Sequence, residues 1–508
     1  MKRKTVFNTA RYAVIGVWVI SGLLAAPAGT DAKPDLNDRT ISEAVVDEYV
    51  IDPGVPGYLI DVDTKTGIVT LTGTVDNILA KERAAHIAET VRGVRAVVNR
   101  VKVNPGHDRS DDVIKRDVTL ALAEDPATDS YEIDVNVASK VVQLGGTVDS
   151  WAERELCATV AKGVKGVVDV TNLISVQYKT KRTDSEIRQD IVQRMRWNAL
   201  LDHGLVDVKV KDGAVTLTGT VGSAAEKREA RMDAHVAGVK SVDDSALEVA
   251  RWARDEDLRK DKYAIKSDDE VRQAIKDALR YDPRVKSFEV EVDVNRGAAT
   301  LYGRVDNLMA KRAATQDARN TVGVVRVENR IQVKPESTLA DAQIKGRILK
   351  AIARDPLLGL YEVNVRVAGG VATLHGSVDS AYERSHAEQV VAKVEGVTYV
   401  ENRLDVQRWD RLPYQPYAYD PFPYDFGWYL PTKRFDYRSD SQLKEEIQDE
   451  LWWSPYVDEE RVTVHVENGK AILTGTVASW SEYIAATNNA FEAGAEIVDN
   501  DLVVMENE

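Results

Sequence analysis

One short motif recurs six times along this 508-residue chain, and that recurrence limits the fold more than any other feature. Val69-Thr-Leu-Thr-Gly73-Thr-Val returns as Val142-Gln-Leu-Gly-Gly146-Thr-Val, Val215-Thr-Leu-Thr-Gly219-Thr-Val and Ala299-Thr-Leu-Tyr-Gly303-Arg-Val. It returns again as Ala372-Thr-Leu-His-Gly376-Ser-Val and Ile472-Leu-Thr-Gly475-Thr-Val. A second glycine follows each at nearly constant distance: Gly93, Gly166, Gly238, Gly323, Gly396 and Gly494. Beyond it, most copies read V-x-x-V-x-N or close to it, with Asn99, Asn172, Asn329, Asn402 and Asn500. A fixed period of this kind means one structural unit built six times.

Inside a unit the hydrophobic period switches in a fixed order. In unit four, residues 267–279 open with a cap-like Ser-Asp pair and then space apolar residues as a helix does. Residues 288–294 alternate strictly, which predicts a half-buried strand. Asn295-Arg296-Gly297 makes a turn, 299–303 returns as the second strand of a hairpin, 307–321 is helical again and 324–333 is a third strand. The fold class is therefore α+β: six small helix–strand–strand–helix–strand domains, each with two helices on one face of a three-stranded mixed sheet. The first glycine is expected to end the second strand at a sharp turn, and the second to cap the second helix at positive φ. Both sets of glycines are read as structural, not ligand-binding.

The copies also differ systematically. Units one and four share V-D-N-x-x-A-K, and units two and five share Asp-Pro before Tyr-Glu (Asp125-Pro126 and Asp355-Pro356). Units three and six each place a tryptophan at the end of the first helix, Trp197 and Trp453. The chain thus reads as a duplicated three-domain block, 38–249 and 267–505. The expected domains are 38–104, 111–177, 183–249, 267–333, 340–406 and 439–505. Each is near the lower size limit for an independent core, so neighbours are expected to pack together. Segment 250–266 is a charged linker. Segment 407–438 is rich in Tyr, Pro and Trp and is read either as a buried clamp packed across units five and six or as an interface, with Trp409, Tyr414, Tyr417, Tyr424, Trp428 and Tyr429 as the candidate contacts.

Residues 1–28 combine a basic start, an apolar run and Ala26-Pro27-Ala28, the pattern of an export signal. The apolar run is short for a membrane span, so cleavage is favoured over a retained anchor. The expected product is exported and periplasmic. The single cysteine, Cys157, sits in a helical pattern and is read as a small buried hydrophobe. The formal charge is −15, and losing the signal removes Lys2, Arg3, Lys4 and Arg11 but no acid. Such an acidic chain is a poor partner for nucleic acid.

No nucleotide-binding, serine-hydrolase or zinc-protease motif is present in the sequence. The seven histidines fall at unrelated positions of different units. Glu153-Arg154 and Glu383-Arg384 look like solvated helix-face charges. The reading is non-enzymatic, with no cofactor, metal or small-molecule substrate.

The unit, with V-x-L-x-G-x-V followed by G-V-x-x-V-x-N, resembles the BON domain (bacterial osmotic-stress and nodulation domain). It is similar to the periplasmic osmotically inducible proteins of Gram-negative bacteria, and the resemblance spans nearly the whole chain beyond the signal. In unit six the second motif departs, with Ala495 after Gly494. The resemblance implies phospholipid headgroup binding at the envelope and support of envelope integrity under osmotic or other stress. The alternative is a periplasmic protein-interaction scaffold with no direct lipid contact. The expected partners are a membrane phospholipid surface, bound peripherally, or envelope proteins.

Overall fold

The computed structural model describes residues 36–505 except 53, 107, 129–132, 179–180, 255–265, 286–288, 336–338, 407–438 and 496. Residues 1–28, read as an export signal, and the six aromatic candidates of segment 407–438 lie outside the described residues.

Unit four shows how each copy is built. Ser267 caps the first helix (Asp268–Tyr281) in a capping box with Glu270. Strand Val290–Asn295 pairs antiparallel with Ala298–Val305 through the two-residue turn Arg296-Gly297. Both turn residues have positive φ, 50° and 71°, the geometry that matches strand twist. Asn307 caps the second helix (Leu308–Arg319), and the chain returns parallel to the central strand as Arg326–Asn329 and Gln332–Val333. The motif strand is central in all six sheets. In units one, two and four the third strand is broken into two pieces, and in the others it is continuous.

Two side chains recur as fasteners. The aspartate opening each first helix accepts the two amides of the hairpin turn, as Asp268 does from Arg296 at 2.8 Å and Gly297 at 2.9 Å. Asp38, Asp111, Asp184, Asp341 and Asp440 repeat this. The motif asparagine ties the third strand to the second helix: Asn99 donates to the Lys81 carbonyl at 2.7 Å and accepts from Val101 at 3.1 Å. Asn172, Asn329, Asn402 and Asn500 do the same.

The glycines work differently from the expectation. Gly73 does not end its strand, which runs to Val75. Its φ is 127°, and a Cβ there would lie 2.1 Å from the Leu59 carbonyl oxygen, so the carbonyl leading into the first strand excludes any side chain. Gly93 has positive φ as expected but lies in the turn beyond the helix, whose cap is Thr90. Glu153 and Arg154 also depart from a solvated face. Glu153 completes a capping box with Ser150, and Arg154 donates to the Asn172 and Ile174 carbonyls. In unit five, Glu383 bonds the Ser380 cap and Arg384 donates to the Asn402 carbonyl.

Each unit has its own hydrophobic core. The motif Val and Leu point into it, Val69 and Leu71 being fully buried, and Cys157 is buried in that of unit two. The other face of each sheet is exposed and largely polar, as at Asp61, Asp63, Thr72 and Thr74, with exposed apolar residues such as Ile68, Tyr399, Ile497 and Val503 on it as well.

Candidate functional site

The glycines and asparagines of the motifs are spent on holding each unit together, so candidate functional surfaces lie between units and on the open sheet faces. Three pairs of units meet through one recurring contact. The amide just before the second glycine donates to the last carbonyl of another unit's first helix. Arg92 thus bonds Trp453 at 3.2 Å, Val322 bonds Trp197 at 2.9 Å and Lys165 bonds Arg354 at 2.6 Å. The donors belong to units one, four and two, and the acceptors to units six, three and five.

The two tryptophans seen in sequence acquire a role here. Trp453 packs against the core of unit one and Trp197 against that of unit four. Second helices also cross unit boundaries, placing Ala224 of unit three in the core of unit one and Leu308 of unit four in that of unit five. Charges also pair across the seams. Arg92 bonds Glu459 at 2.9 Å and stacks over Trp452, and Arg228 bonds Glu89 at 2.7 Å. Arg354 pairs with Glu124, Lys162 with Glu82 and Arg312 with Glu388. Such pairs add specificity more than net stability, because desolvation offsets their attraction.

One seam carries unbalanced charge. Glu48 of unit one and Glu450 and Glu492 of unit six influence one another. Burial, and next the charge of Asp52, pushes Glu48 up to about 7. Burial likewise holds Glu450 and Glu492 well above the usual carboxylate range. Elsewhere, His235 of unit three stacks on Trp151 of unit two at 3.9 Å, and burial lowers its imidazole to about 4. Among the described residues, no group of three or more His, Cys, Asp or Glu could hold a metal ion.

Sequence reading found the seam tryptophans without their purpose and missed the seam charges, since a partner in another unit leaves no local period. The first-helix aspartate could have been found: it recurs in all six copies at a fixed offset from the first glycine.

A BON domain model matches residues 37–105, 110–178, 183–251, 267–335, 340–408 and 439–506. The chain belongs to the BON-domain family. This BON protein is similar to osmotically-inducible protein Y of Escherichia coli (strain K12), with 34% identity over 143 residues, 27% of this chain and 71% of that protein. Among solved structures it aligns with CdsD, a structural protein of the type III secretion system of Chlamydia trachomatis, at 14% identity. That alignment covers 40% of this chain and 91% of the other at a TM-score of 0.11. The C-terminal domain of CdsD aligns at 14% identity over 43% of this chain and all of its own, at a TM-score of 0.12. Neither carries weight for fold or role. No helix among the described residues is long and apolar enough to cross a membrane.

Proposed function

We propose that this chain is a non-enzymatic, exported periplasmic protein that binds phospholipid headgroups peripherally and supports the cell envelope under osmotic stress. The observation that carries this reading is the set of six BON domains, together with similarity to a protein named for osmotic induction. The geometry supports it in one respect. The helices pack inward across units while the sheets leave a polar face exposed, so one body presents several binding faces. Weak headgroup contacts then add through effective concentration. Headgroup binding here must overcome a formal charge of −15 − 4 = −19 once residues 1–28 are lost, so it depends on local basic groups and weakens as salt screens them.

A protein-interaction scaffold is the second reading, and the sheet edges favour it. Among the described residues, each unit's sheet is open and pairs with no strand of another unit, leaving its first and third strands as edges. Such edges accept an added strand from a partner.

Co-sedimentation of residues 29–508 with anionic and zwitterionic vesicles, at low and physiological salt, separates the two. The lipid reading expects binding to anionic vesicles that falls with salt. Repeating it without residues 413–431 tests whether the aromatic segment contributes. Absence of binding in every condition would remove the membrane reading and leave the scaffold.

A further inference from the structure

The first helices end at one equivalent position in all six units: Asp52, Asp125, Asn198, Asp282, Asp355 and Ser454. At each, a side-chain oxygen accepts the amide two residues on, as Asp52 does from Gly54 at 2.8 Å and Asp355 from Leu357 at 2.9 Å. Where the residue is Asp, its second oxygen then meets a cation. Arg83 reaches Asp52 in unit one, Arg284 reaches Asp282 in unit four, and His386 lies 2.6 Å from Asp355 in unit five.

Asp125 of unit two departs from this rule. Its Oδ1 accepts from Ala127 at 3.0 Å, but Oδ2 has no hydrogen-bond partner, although only 5% of the residue is exposed. The cause is legible in the repeat. Arg83 and His386 occupy the same position relative to the first glycine of their units, and unit two has Leu156 there. A buried carboxylate is ordinarily paired, so a missing partner calls for an explanation.

Asp125 and Leu156 both line a cavity of about 410 Å³ between units one, two, three and five. That volume is ordinary for a small-molecule site. Val160, Tyr382 and Val394 add apolar and aromatic wall. Much of the charge around it is already committed, in the pairs Arg354–Glu124, Arg347–Glu395 and His386–Asp355. Arg347 and Glu395 keep 33% and 40% of their side chains exposed, so the cavity reaches solvent on their side. Lys393 and Arg284 attract the Asp125 carboxylate, yet burial outweighs them and holds the group above its ordinary range.

We propose that Asp125 and Leu156 form a binding site for a small planar nitrogen cation, a guanidinium or imidazolium, seated where Arg83 and His386 place their own side chains in the sibling units. The ligand class follows from those siblings. Both present delocalised N–H donors to the equivalent carboxylate, and Leu156 replaces them with a side chain that has no donor. A guanidinium also fits a carboxylate with two parallel hydrogen bonds.

The test is calorimetric titration of residues 29–508 with methylguanidinium at pH 7.5, with tetramethylammonium, which has no N–H, as the control. Saturable binding of methylguanidinium alone is expected. Asp125→Asn should weaken it at least tenfold, and Leu156→Arg, which supplies an internal guanidinium, should abolish it and raise the melting temperature. No saturable heat with the unmodified chain, or equal binding by Asp125→Asn, would overturn the proposal. If Leu156→Arg does not fold, Asp125→Asn decides alone, because it keeps the side chain's shape.

Discussion

Asp268 and its five equivalents turn a loose hairpin into part of the helix that precedes it, since one carboxylate satisfies two turn amides. Removing it leaves those amides to water and frees the hairpin. Asp268→Ala should cost about 1–3 kcal/mol and speed hydrogen exchange at Arg296 and Gly297, measurable by denaturation and exchange together. Gly73→Ala is harsher because it meets both a positive φ and the Leu59 carbonyl. It should cost about 2–3 kcal/mol or more, read as a loss of melting temperature. The first glycine announced itself in sequence through recurrence, but its reason did not. The oxygen that excludes a Cβ belongs to Leu59, just ahead of the partner strand, and repetition reveals that a residue matters without revealing what it touches.

Helices and hairpins were the legible elements, because each carries its own period and its own cap. Unit four's Ser267 cap, its strand alternation and its hairpin turn are all local and all present, except that Asn295, expected in the turn, ends the first strand and pairs with Ala298. The split third strand was not legible. Asn99 and its equivalents accept the amide two residues on both where the third strand is split and where it is continuous, so no local signal tells the two apart. Trp453 marks the limit at this scale: its position at a helix end could be read, but its burial against another unit could not. Trp453→Ala should cost about 3 kcal/mol, the low end for a half-buried ring, and increase exchange at the Arg92 amide. Exchange in units two and five should stay unchanged, since their seam uses Lys165 and Arg354 instead.

Among the described residues, the helix-end contacts pair units one with six, two with five and three with four. The seam between the first and last units holds Glu48, Glu450 and Glu492, whose carboxyls burial raises. A raised carboxyl binds its proton more tightly when folded. The stability it contributes is complete below the unfolded value of 4.5 and is lost as pH rises through about 7, the value for Glu48. The melting temperature should therefore be higher near pH 5.5 than near pH 8, and Glu450→Gln should flatten that dependence. Everything at this scale depends on unit six closing onto unit one. A double-mutant cycle on Arg92 and Glu459, which lie 367 positions apart and meet at 2.9 Å, tests that closure. Arg92→Met and Glu459→Gln should couple by about 1–3 kcal/mol, whereas additivity within about 0.5 kcal/mol would mean that the two units do not meet.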